Sequence, residues 1–525
     1  MSRFSHEFMS DHDNGSSGKL RIELAPLGAV LEVDRGTLLE NVLMTRGMEF
    51  PCGGLGTCGG CRVQVLEGNI EPTPEDIATL SPRELSDGWR LACRARADSP
   101  LTLKVEQWTM PVLVDDTHLV GARREGLAIA IDLGTTTIVA QLLDLASGKL
   151  LGFRTGLNPQ TIQGADVMSR VRFAVDSNEL TSLIRDFLGS MVHELIGGRE
   201  EEVVEVVLVG NTVMHHLFCG LDVEPLTHVP FASPRLGEQR FVAPDLGWQL
   251  PSSAAIRFLP CIGGFVGSDI LAGIVAVGLH TGDRLRALID LGTNGEISLG
   301  NREKILCAST AAGSAFEAGS IKMGMRAATG AISRVFLNQT GMECMVVGDV
   351  EPRGICGSGL VDAIAAGLDD ELIKVSGRLT GGGKEFPLSG TVKLWQADVR
   401  ELQLAKAAIA SGLRILLDRW GARIEDIEVI YLSGAFGNCV RAESAVRIGL
   451  VETPVDRIAP SGNTALRGAK MLLGADDFPV LEIIEHIGLA SDPNFQDRFV
   501  DCMAFPDAAV VASRTAVEEC AVCAG

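Results

Sequence analysis

Along this chain the apolar positions fall in short, dense runs that stop abruptly at a small polar residue or a glycine. Ala128-Ile-Ala-Ile runs into Asp132-Leu-Gly-Thr-Thr-Thr137, and Ala287-Leu-Ile runs into Asp290-Leu-Gly-Thr-Asn-Gly-Glu296. Unbroken aliphatic runs of this length read as buried strands, and the Asp-Leu-Gly-Thr at their ends reads as a tight turn. Val203–Val209 is a further strand, entering Gly210-Asn-Thr212, and Ile427–Leu432 is another, ending in Ser433-Gly-Ala-Phe-Gly437. Helical spacing predicts helices over Val266–Leu279, over Leu360–Leu368 behind Cys356-Gly-Ser-Gly359, and over Leu402–Trp420. Nearer the start, Lys19–Leu24 and Val30–Val33 read as strands joined by Pro26-Leu-Gly28, and Thr37–Arg46 as a helix opened by Asp34 or Thr37 and followed by Gly47. Arg62–Leu66 and Leu101–Glu106 add two more strands.

The doubled Asp-Leu-Gly-Thr phrase implies two related half-domains, each offering a strand–Asp–Gly hairpin to one shared nucleotide. Glycine removes the Cβ that blocks a phosphate, turn N–H groups face the anion, hydroxyls bond its oxygens, and each aspartate can reach Mg²⁺ or its waters. Two ordinary hairpins of a β-rich core are the competing explanation. Hydrolysis needs a carboxylate or amide to orient water, with a metal to neutralise phosphoryl charge. Glu296 and Asp269 are the candidates, in that order. A helix N-cap competes for Asp269, which follows Ser268, and an ion pair on a strand competes for Glu296.

Composition narrows the classes. A length of 525 residues predicts three or four folding units. Residues 1–18 are polar and read as disordered; 19–106 read as one domain, 107–125 as a Pro-interrupted linker, 126–286 and 287–515 as two lobes, and 516–525 as a tail. The net charge of −21 argues against a nucleic-acid partner, which needs clustered Lys and Arg. No apolar run is long enough to cross a membrane and no apolar core follows the N-terminus, so a cytoplasmic protein is expected. In that compartment thiols stay reduced, and thirteen cysteines point to metal or redox chemistry before disulfides.

Four of those cysteines stand in Cys52-x5-Cys58-x2-Cys61-x31-Cys93, within Phe50-Pro-Cys-Gly-Gly-Leu-Gly-Thr-Cys-Gly-Gly-Cys61 and Trp89-Arg-Leu-Ala-Cys-Arg94. Four thiolates are the ligand set of a [2Fe–2S] cluster, and the glycines let a loop wrap it and aim N–H groups at its sulfurs. Structural zinc also takes four cysteines, but zinc ribbons show two C-x-x-C knuckles and only one is present. Strands on both sides, with a helix before the loop, resemble the β-grasp of ferredoxins, nearer the adrenodoxin type than the plant type. Cys219, Cys261, Cys307, Cys344, Cys356 and Cys439 read as small buried thiols. Cys520-x-x-Cys523 at the end, with Cys502 upstream, could bind a metal or second cluster, but three thiols are too few, and a frayed tail is the better reading.

From Asp132 onward the chain resembles the superfamily of actin, sugar kinases and heat-shock ATPases. First phosphate loop, first connecting segment, second phosphate loop, second connecting segment and adenosine loop match Asp132–Thr137, Val209–Thr212, Asp290–Glu296, Gly357–Ala363 and Ser433–Gly437, in order. The resemblance implies an α/β and α+β multidomain protein: a β-grasp ferredoxin, a linker, and a two-lobed actin-like ATPase of ribonuclease-H-like repeats. It places Asp132, Gly134, Thr135, Thr136, Asp290, Gly292, Thr293, Asn294, Gly357, Ser433, Gly434, Ala435 and Gly437 around Mg²⁺ and ATP, with Asp132 and Asp290 on opposite cleft walls and Gly434, Ala435 and Gly437 beside adenine or ribose.

A ferredoxin fused to this ATPase resembles the reductive activators of corrinoid proteins. Asn158-Pro-Gln160, Gly164-Ala-Asp-Val-Met-Ser-Arg170, Gly210-Asn-Thr-Val-Met-His-His216, Ala312-Gly-Ser-Ala-Phe-Glu-Ala-Gly319, Gly324-Met-Arg-Ala327 and Gly330-Ala-Ile332 carry that likeness over about residues 19–515. Two departures stand out: Arg124 leads almost directly into the first phosphate strand, without the middle domain some members carry, and Ser314 replaces a proline. The resemblance implies one-electron reduction of Co(II) to Co(I) in the corrinoid protein of a methyltransferase system, with an upstream electron donor and a homodimer. Plant-type [2Fe–2S] centres lie near about −400 mV, and a shortfall of about 100 mV equals about 2.3 kcal/mol for one charge. Nucleotide-driven closure can bridge that only through different affinities of two states. His215, His216, Ser309, Ser314 and Ser320 are candidates to approach cobalt, against packing or turn roles. A small-metabolite kinase with a redox-sensing ferredoxin, and a redox-controlled ATP-binding module without turnover, are the alternatives.

Overall fold

A computed structural model describes residues 19–25, 29–44, 48, 56, 61–105, 124–164, 166–292, 294–339, 341–437 and 439–515. The expectations for 1–18, for all but the end of the linker, for the tail, and for Cys52, Cys58 and Thr293 lie outside the described residues. The chain divides into two compact units, Met1–Thr109 and Met110–Gly525.

The first unit is built on five strands: β1 (Leu20–Ala25), β2 (Ala29–Val33), β3 (Arg62–Glu67), β4 (Trp89–Leu91) and β5 (Leu101–Val105). They lie in the order β2-β1-β5-β3-β4, with β1 parallel to β5 and the other pairs antiparallel. Alternate residues Ile22, Leu24, Leu101, Leu103 and Val105 enter a core completed by Leu39 and Leu43 of α1 (Leu39–Met44). The expected helix from Thr37 starts at Leu39, because Thr37 and Leu38 pair as a short strand with Arg96 and Ala97. Two short helices that apolar periodicity does not reveal, α2 (Pro74–Thr79) and α3 (Pro82–Ser86), each begin with a capping box and a proline in the first turn.

The second unit repeats one sheet plan twice. The first sheet holds β6 (Leu127–Leu133), β7 (Thr137–Asp144), β8 (Lys149–Leu157), β9 (Val203–Val209), β10 (Gln239–Phe241) and β11 (Ala255–Phe258) in the order β8-β7-β6-β9-β11-β10. The second holds β12 (Arg286–Leu291), β13 (Gly295–Gly300), β14 (Ile305–Thr310), β15 (Ile430–Ser433), β16 (Ile458–Pro460) and β17 (Ile484–His486) in the order β16-β15-β12-β13-β14-β17. Edge strands β10 and β17 aside, both read third-second-first-fourth-fifth, with an antiparallel hairpin followed by parallel neighbours. That repeat is the actin-like plan expected from the doubled phrase.

The first strands read as unbroken apolar runs because helices cover both faces. Ile129 and Ile131 of β6 pack towards α4 (Glu179–Ile196), while Ala130 packs towards α6 (Ser268–Ala276) and α9 (Thr464–Met471). Asp132 shares the parity of Ala130. In β12, Ala287 and Ile289 enter the core with α7 (Gly357–Asp369) and α8 (Gln396–Trp420), while Leu288 faces α6, and Asp290 shares its parity. Both aspartates therefore leave their strands on the α6/α9 side.

Helices α6 and α9 form the layer between the sheets. α6 contributes Ala272 to the core shared with β6 and β9, and Ile270, Leu271 and Ile274 to the core shared with β12 and β14. The two helices cross so closely that a Cβ on Gly468 would lie 1.9 Å from the Ala272 carbonyl oxygen. Gly468→Ala tests the crossing. In a free helix the change stabilises by up to about 1 kcal/mol, but backbone overlap makes a net loss of about 1–3 kcal/mol the expected result in urea unfolding.

Candidate functional site

Two of the four predicted cluster cysteines lie among the described residues, and the sheet sets them side by side. Cys61 precedes β3 and Cys93 follows β4; Arg62 is in register with Leu91, and the Ala92 N–H donates to the Cys61 carbonyl at 2.8 Å. Both cysteines are buried. Asp76 locks this corner. One carboxylate oxygen accepts the Leu91 N–H at 2.7 Å, while the other accepts the Thr73 N–H at 2.7 Å within the α2 capping box. The helix cap thus holds the strand that delivers Cys93. Arg94, next to Cys93, pairs with Glu75 and holds its carboxyl below the usual range. Adjacent buried cysteines on a glycine-rich loop and a strand end fit a sulfur-ligated cluster.

In the second unit, side chains from both sheets meet. Asp290 stands across from Glu296 in the β12–β13 ladder, Glu296 across from Ser309, and Asp290 beside Ser433 of β15. These four residues form one row on one face. The Ser433 hydroxyl donates to Asp290 Oδ2 at 2.6 Å, and the Ser309 hydroxyl donates to Glu296 Oε1 at 3.1 Å. Glu296 makes no ion pair among the described residues, so the competing ion-pair role does not apply.

Asp269 joins from α6. Gly267, not Asp269, is the N-cap, and the Asp269 carboxylate accepts only the neighbouring Ile270 N–H, at 2.9 Å. The simple cap is thereby corrected. Gly267 is required where it stands, since a Cβ would lie 2.1 Å from the Gly210 carbonyl, which also accepts the Ser268 N–H at 3.0 Å. Asp132 completes the group and accepts from the Asn463 amide at 2.9 Å.

The four carboxylates feel one another. Burial, then Asp290 and Asp132, push Asp269 up to about 8. Burial raises Asp132 to about 7, with Asn463 opposing and Asp290 adding to the rise. Burial raises Asp290, offset in part by Ser433, and burial followed by Asp269 and Asp290 raises Glu296 well above the usual range. No lysine or arginine pairs with any of them among the described residues. Like charges with oxygen-only donors, Glu296 buried and the three aspartates half-buried, fit a hard divalent cation. No three of them converge tightly enough to cage an ion by themselves among the described residues. That suits Mg²⁺, which keeps waters and shares its coordination with phosphates.

The remaining predicted residues fall nearby with differing parts. Gly134 admits no side chain, because a Cβ would lie 2.4 Å from the Thr137 carbonyl. Thr135 accepts the Asn211 amide at 2.9 Å, the Thr136 carbonyl accepts the Asn158 N–H at 2.8 Å, and the Asn294 carbonyl accepts the Gly292 N–H at 3.0 Å. Gly434 has a φ of +85°, and a Cβ there would sit 2.8 Å from Asp290 Oδ1. Gly434–Gly437, expected as a loop, form a one-turn helix that includes Ala435. Gly357 is accounted for by packing, since a Cβ would lie 1.7 Å from the Phe316 carbonyl.

His215 and His216 are fully buried, with His216 between the Thr212 carbonyl at 2.7 Å and Ser233 Oγ at 2.6 Å. They are core residues, not ligands at a surface. Ser314 and Ser320 hydroxyls pair at 2.9 Å. Cys439 is exposed and Cys344 half-buried, against the expectation of buried thiols, whereas Cys219, Cys261, Cys307 and Cys356 are buried.

Residues 22–98 match the 2Fe-2S iron-sulfur cluster binding domain, 127–282 the RACo middle region, and 284–515 the C-terminal domain of RACo, the ASKHA domain. The corrinoid activation enzyme RamQ of Eubacterium limosum is 34% identical over 421 residues, covering 72% of this chain and 70% of that protein. The chain belongs to the corrinoid-activating enzyme family. The [Co(II) methylated amine-specific corrinoid protein] reductase of Methanosarcina barkeri is 27% identical over 418 residues, 71% of this chain and 76% of its own. A solved reductive activator for corrinoid, iron-sulfur protein superposes with a TM-score of 0.64 at 26% identity, covering 93% of this chain and 98% of that one. The family's middle-region match coincides with the sheet of β6 to β11, which begins at Leu127, just after Arg124. No helix among the described residues is long and apolar enough to cross a membrane.

The carboxylate group sets a pH signature for this corrinoid-activating enzyme. Folded-state values above the usual 3.8 mean that the folded protein binds more protons than the unfolded chain. Stability is then undiminished below about pH 4 and falls as pH rises towards about 8. Asp269→Asn is expected to raise the melting temperature of nucleotide-free protein at pH 8.5 by at least about 2 °C. The gain should shrink as pH is lowered towards 5, and a gain independent of pH would contradict the shared-charge reading.

Proposed function

We propose that this protein reduces the Co(II) form of a corrinoid protein to Co(I), with ATP hydrolysis making the transfer favourable. The relatives above are named for their action on corrinoid proteins, which favours this reading over a metabolite kinase. The single observation that carries the energetic part is the group of four carboxylates, Glu296 buried and Asp132, Asp269 and Asp290 half-buried, contributed by both sheets and the helix between them, with no lysine or arginine paired to it among the described residues. The cluster, when bound, supplies one electron: cluster oxidised by one, cobalt reduced by one.

Every other step is assigned to residues of the chain. Asp132 and Asp290 would hold Mg²⁺, which would neutralise phosphate charge, and the Gly134 and Gly292 turns would leave the backbone open to the phosphates. Gly434, Ala435 and Gly437 lie on the adenosine side. Glu296, steadied by Ser309, orients the attacking water, and Asp269 takes part through the same water network. Water and ATP give ADP and phosphate, and the positive charge that would keep the four carboxylates ionised together is lost when the cation departs with its phosphate ligands. The resulting change in lobe spacing alters affinity for the corrinoid protein, and only such differential affinity can drive the electron uphill. Cys52, Cys58, Cys61 and Cys93 ligate the cluster, while an upstream donor reloads it.

The test mixes anaerobic protein, Mg-ATP, a low-potential reductant and a Co(II) corrinoid protein, and follows the Co(I) absorption band. Co(I) is expected with ATP and not without it; equal yields with a verified partner would refute the coupling. Cys58→Ala should lose Co(I) formation by at least about 100-fold, the scale of losing an essential transfer group. The same variant should bind ATP within about twofold of the parent, since the carboxylate group lies in the other unit.

A further inference from the structure

Three asparagines converge on the hairpin that follows β6, and they do so by one device. Each begins a helical segment and uses its side-chain carbonyl as the cap. Asn158 accepts the Gln160 N–H at 3.0 Å, Asn211 accepts the Met214 N–H at 3.0 Å at the start of α5 (Thr212–Cys219), and Asn463 accepts the Leu466 N–H at 2.8 Å at the start of α9. Each then turns its amide to a different residue of the hairpin. Asn463 donates to Asp132 Oδ2, Asn158 to the Gly134 carbonyl at 2.9 Å, and Asn211 to Thr135 Oγ1. Serine, threonine or aspartate would cap as well, but aspartate has no donor and the one O–H of serine or threonine sits on the capping oxygen itself, so none of them offers a separate amide end to reach the hairpin.

The three do not come from one place. Asn158 and Asn211 belong to the first sheet's own connections. Asn463 stands where the chain leaves β16 of the second sheet, and its neighbour Gly462 is fastened there, accepting the Gly434 N–H at 3.2 Å. The adjoining Ser433 grips Asp290. One short unit, Leu432–Gly434 joined to Ser461–Asn463, therefore holds both aspartates, one through a hydroxyl and one through an amide.

We propose that Asn158, Asn211 and Asn463 are positioning residues that set the Asp132 hairpin for a metal–nucleotide complex. Asn463 is the member that makes this setting depend on the second sheet. The proposal rests on the nucleotide reading above. It predicts a loss confined to the metal-dependent part of binding, because the amide orients a carboxylate and does not touch the base or sugar.

Binding of a non-hydrolysable ATP analogue is measured by calorimetry against Mg²⁺ concentration and again in EDTA, for the full-length protein and its variants. Asn463→Ser keeps a cap and removes the amide. It should raise the Mg²⁺ half-saturation about tenfold, the size of one lost bond to a charged group, and leave binding in EDTA within twofold. Its ligand-free melting temperature should stay within about 2 °C, whereas Asn463→Ala, which also loses the cap, should fall by a further 2–4 °C or so. Asn211→Ser should show the same split at about threefold, its lost partner being a neutral hydroxyl. A Mg²⁺ dependence like the parent's in Asn463→Ser would overturn the proposal, since capping alone would then explain the residue. Should position 463 not tolerate change, the same result in Asn211→Ser would overturn it. A parent that binds no Mg-nucleotide would instead refute the nucleotide reading itself.

Discussion

Four carboxylates within electrostatic reach of one another, Glu296 buried and Asp132, Asp269 and Asp290 half-buried, from two sheets and the helix between them, are the constraint on which this enzyme's second unit turns. Ionised together without a counter-charge they repel strongly in a medium less polarisable than water. Protons or a cation must relieve that repulsion. Protons meet that need in the free protein, which is why burial and the neighbouring carboxylates hold Asp132 and Asp269 far above their ordinary values.

The two sheets share one plan, so their differences locate the specialised parts. Opposite Asp290 on the second strand stands Glu296, but opposite Asp132 stands Val139. Only one half has a second carboxylate at this position, and the other has an apolar residue packed with Val207 and Leu466. Asp290 receives its hydrogen bond from Ser433 on the adjacent strand of its own sheet, whereas Asp132 receives its own from Asn463, which begins a helix reached from the opposite sheet. The duplicated hairpin is thus read by two dissimilar donors fixed to one another, a simple way to let one loop sense both walls.

Much of this was legible along the chain because it rested on local chemistry. Apolar runs ending in Asp-Leu-Gly-Thr located β6 and β12, and Val203–Val209 emerged with the predicted bounds. Helix α8 begins six residues before the expected Leu402: its first turn is mostly polar, with Val399 the one large apolar residue entering the core and buried Asp398 accepting the Trp395 N–H as the cap. α6 is shorter than Val266–Leu279 because Gly267 closes onto Gly210 and only then does the helix start. The small helices α2 and α3 were signalled by Thr73-Pro-Glu-Asp76 and Ser81-Pro-Arg-Glu84, capping boxes too brief for any apolar period. Asn463 was the more instructive omission. Gly210-Asn-Thr212 stood out beside a strong strand, yet the same three residues recur at Gly462-Asn-Thr464, where the preceding strand is only three residues long. What the spacing could not supply was contact at long range: Asp132 and Asn463 are brought together only by the crossing of α6 and α9.

That crossing also bears on how an electron can be made to move uphill. A nucleotide site alters a distant equilibrium only if some element has two arrangements and both sites bias it. α6 and α9 stand where such an element would have to be. α6 begins at the Gly210 corner, carries Asp269 into the carboxylate group, and packs its two faces on different sheets; α9 begins at Asn463 and packs on the first sheet. Their contact at Ala272 and Gly468 leaves no space for compression, so the two helices pass on a displacement at one sheet by shifting as a pair. A driving force of a few kcal/mol, the scale of a 100 mV deficit, is of the order that the uncovering of one buried carboxylate can provide. The chemistry of the cleft and the redox demand on the partner are therefore matched in size, which is the condition for coupling them at all.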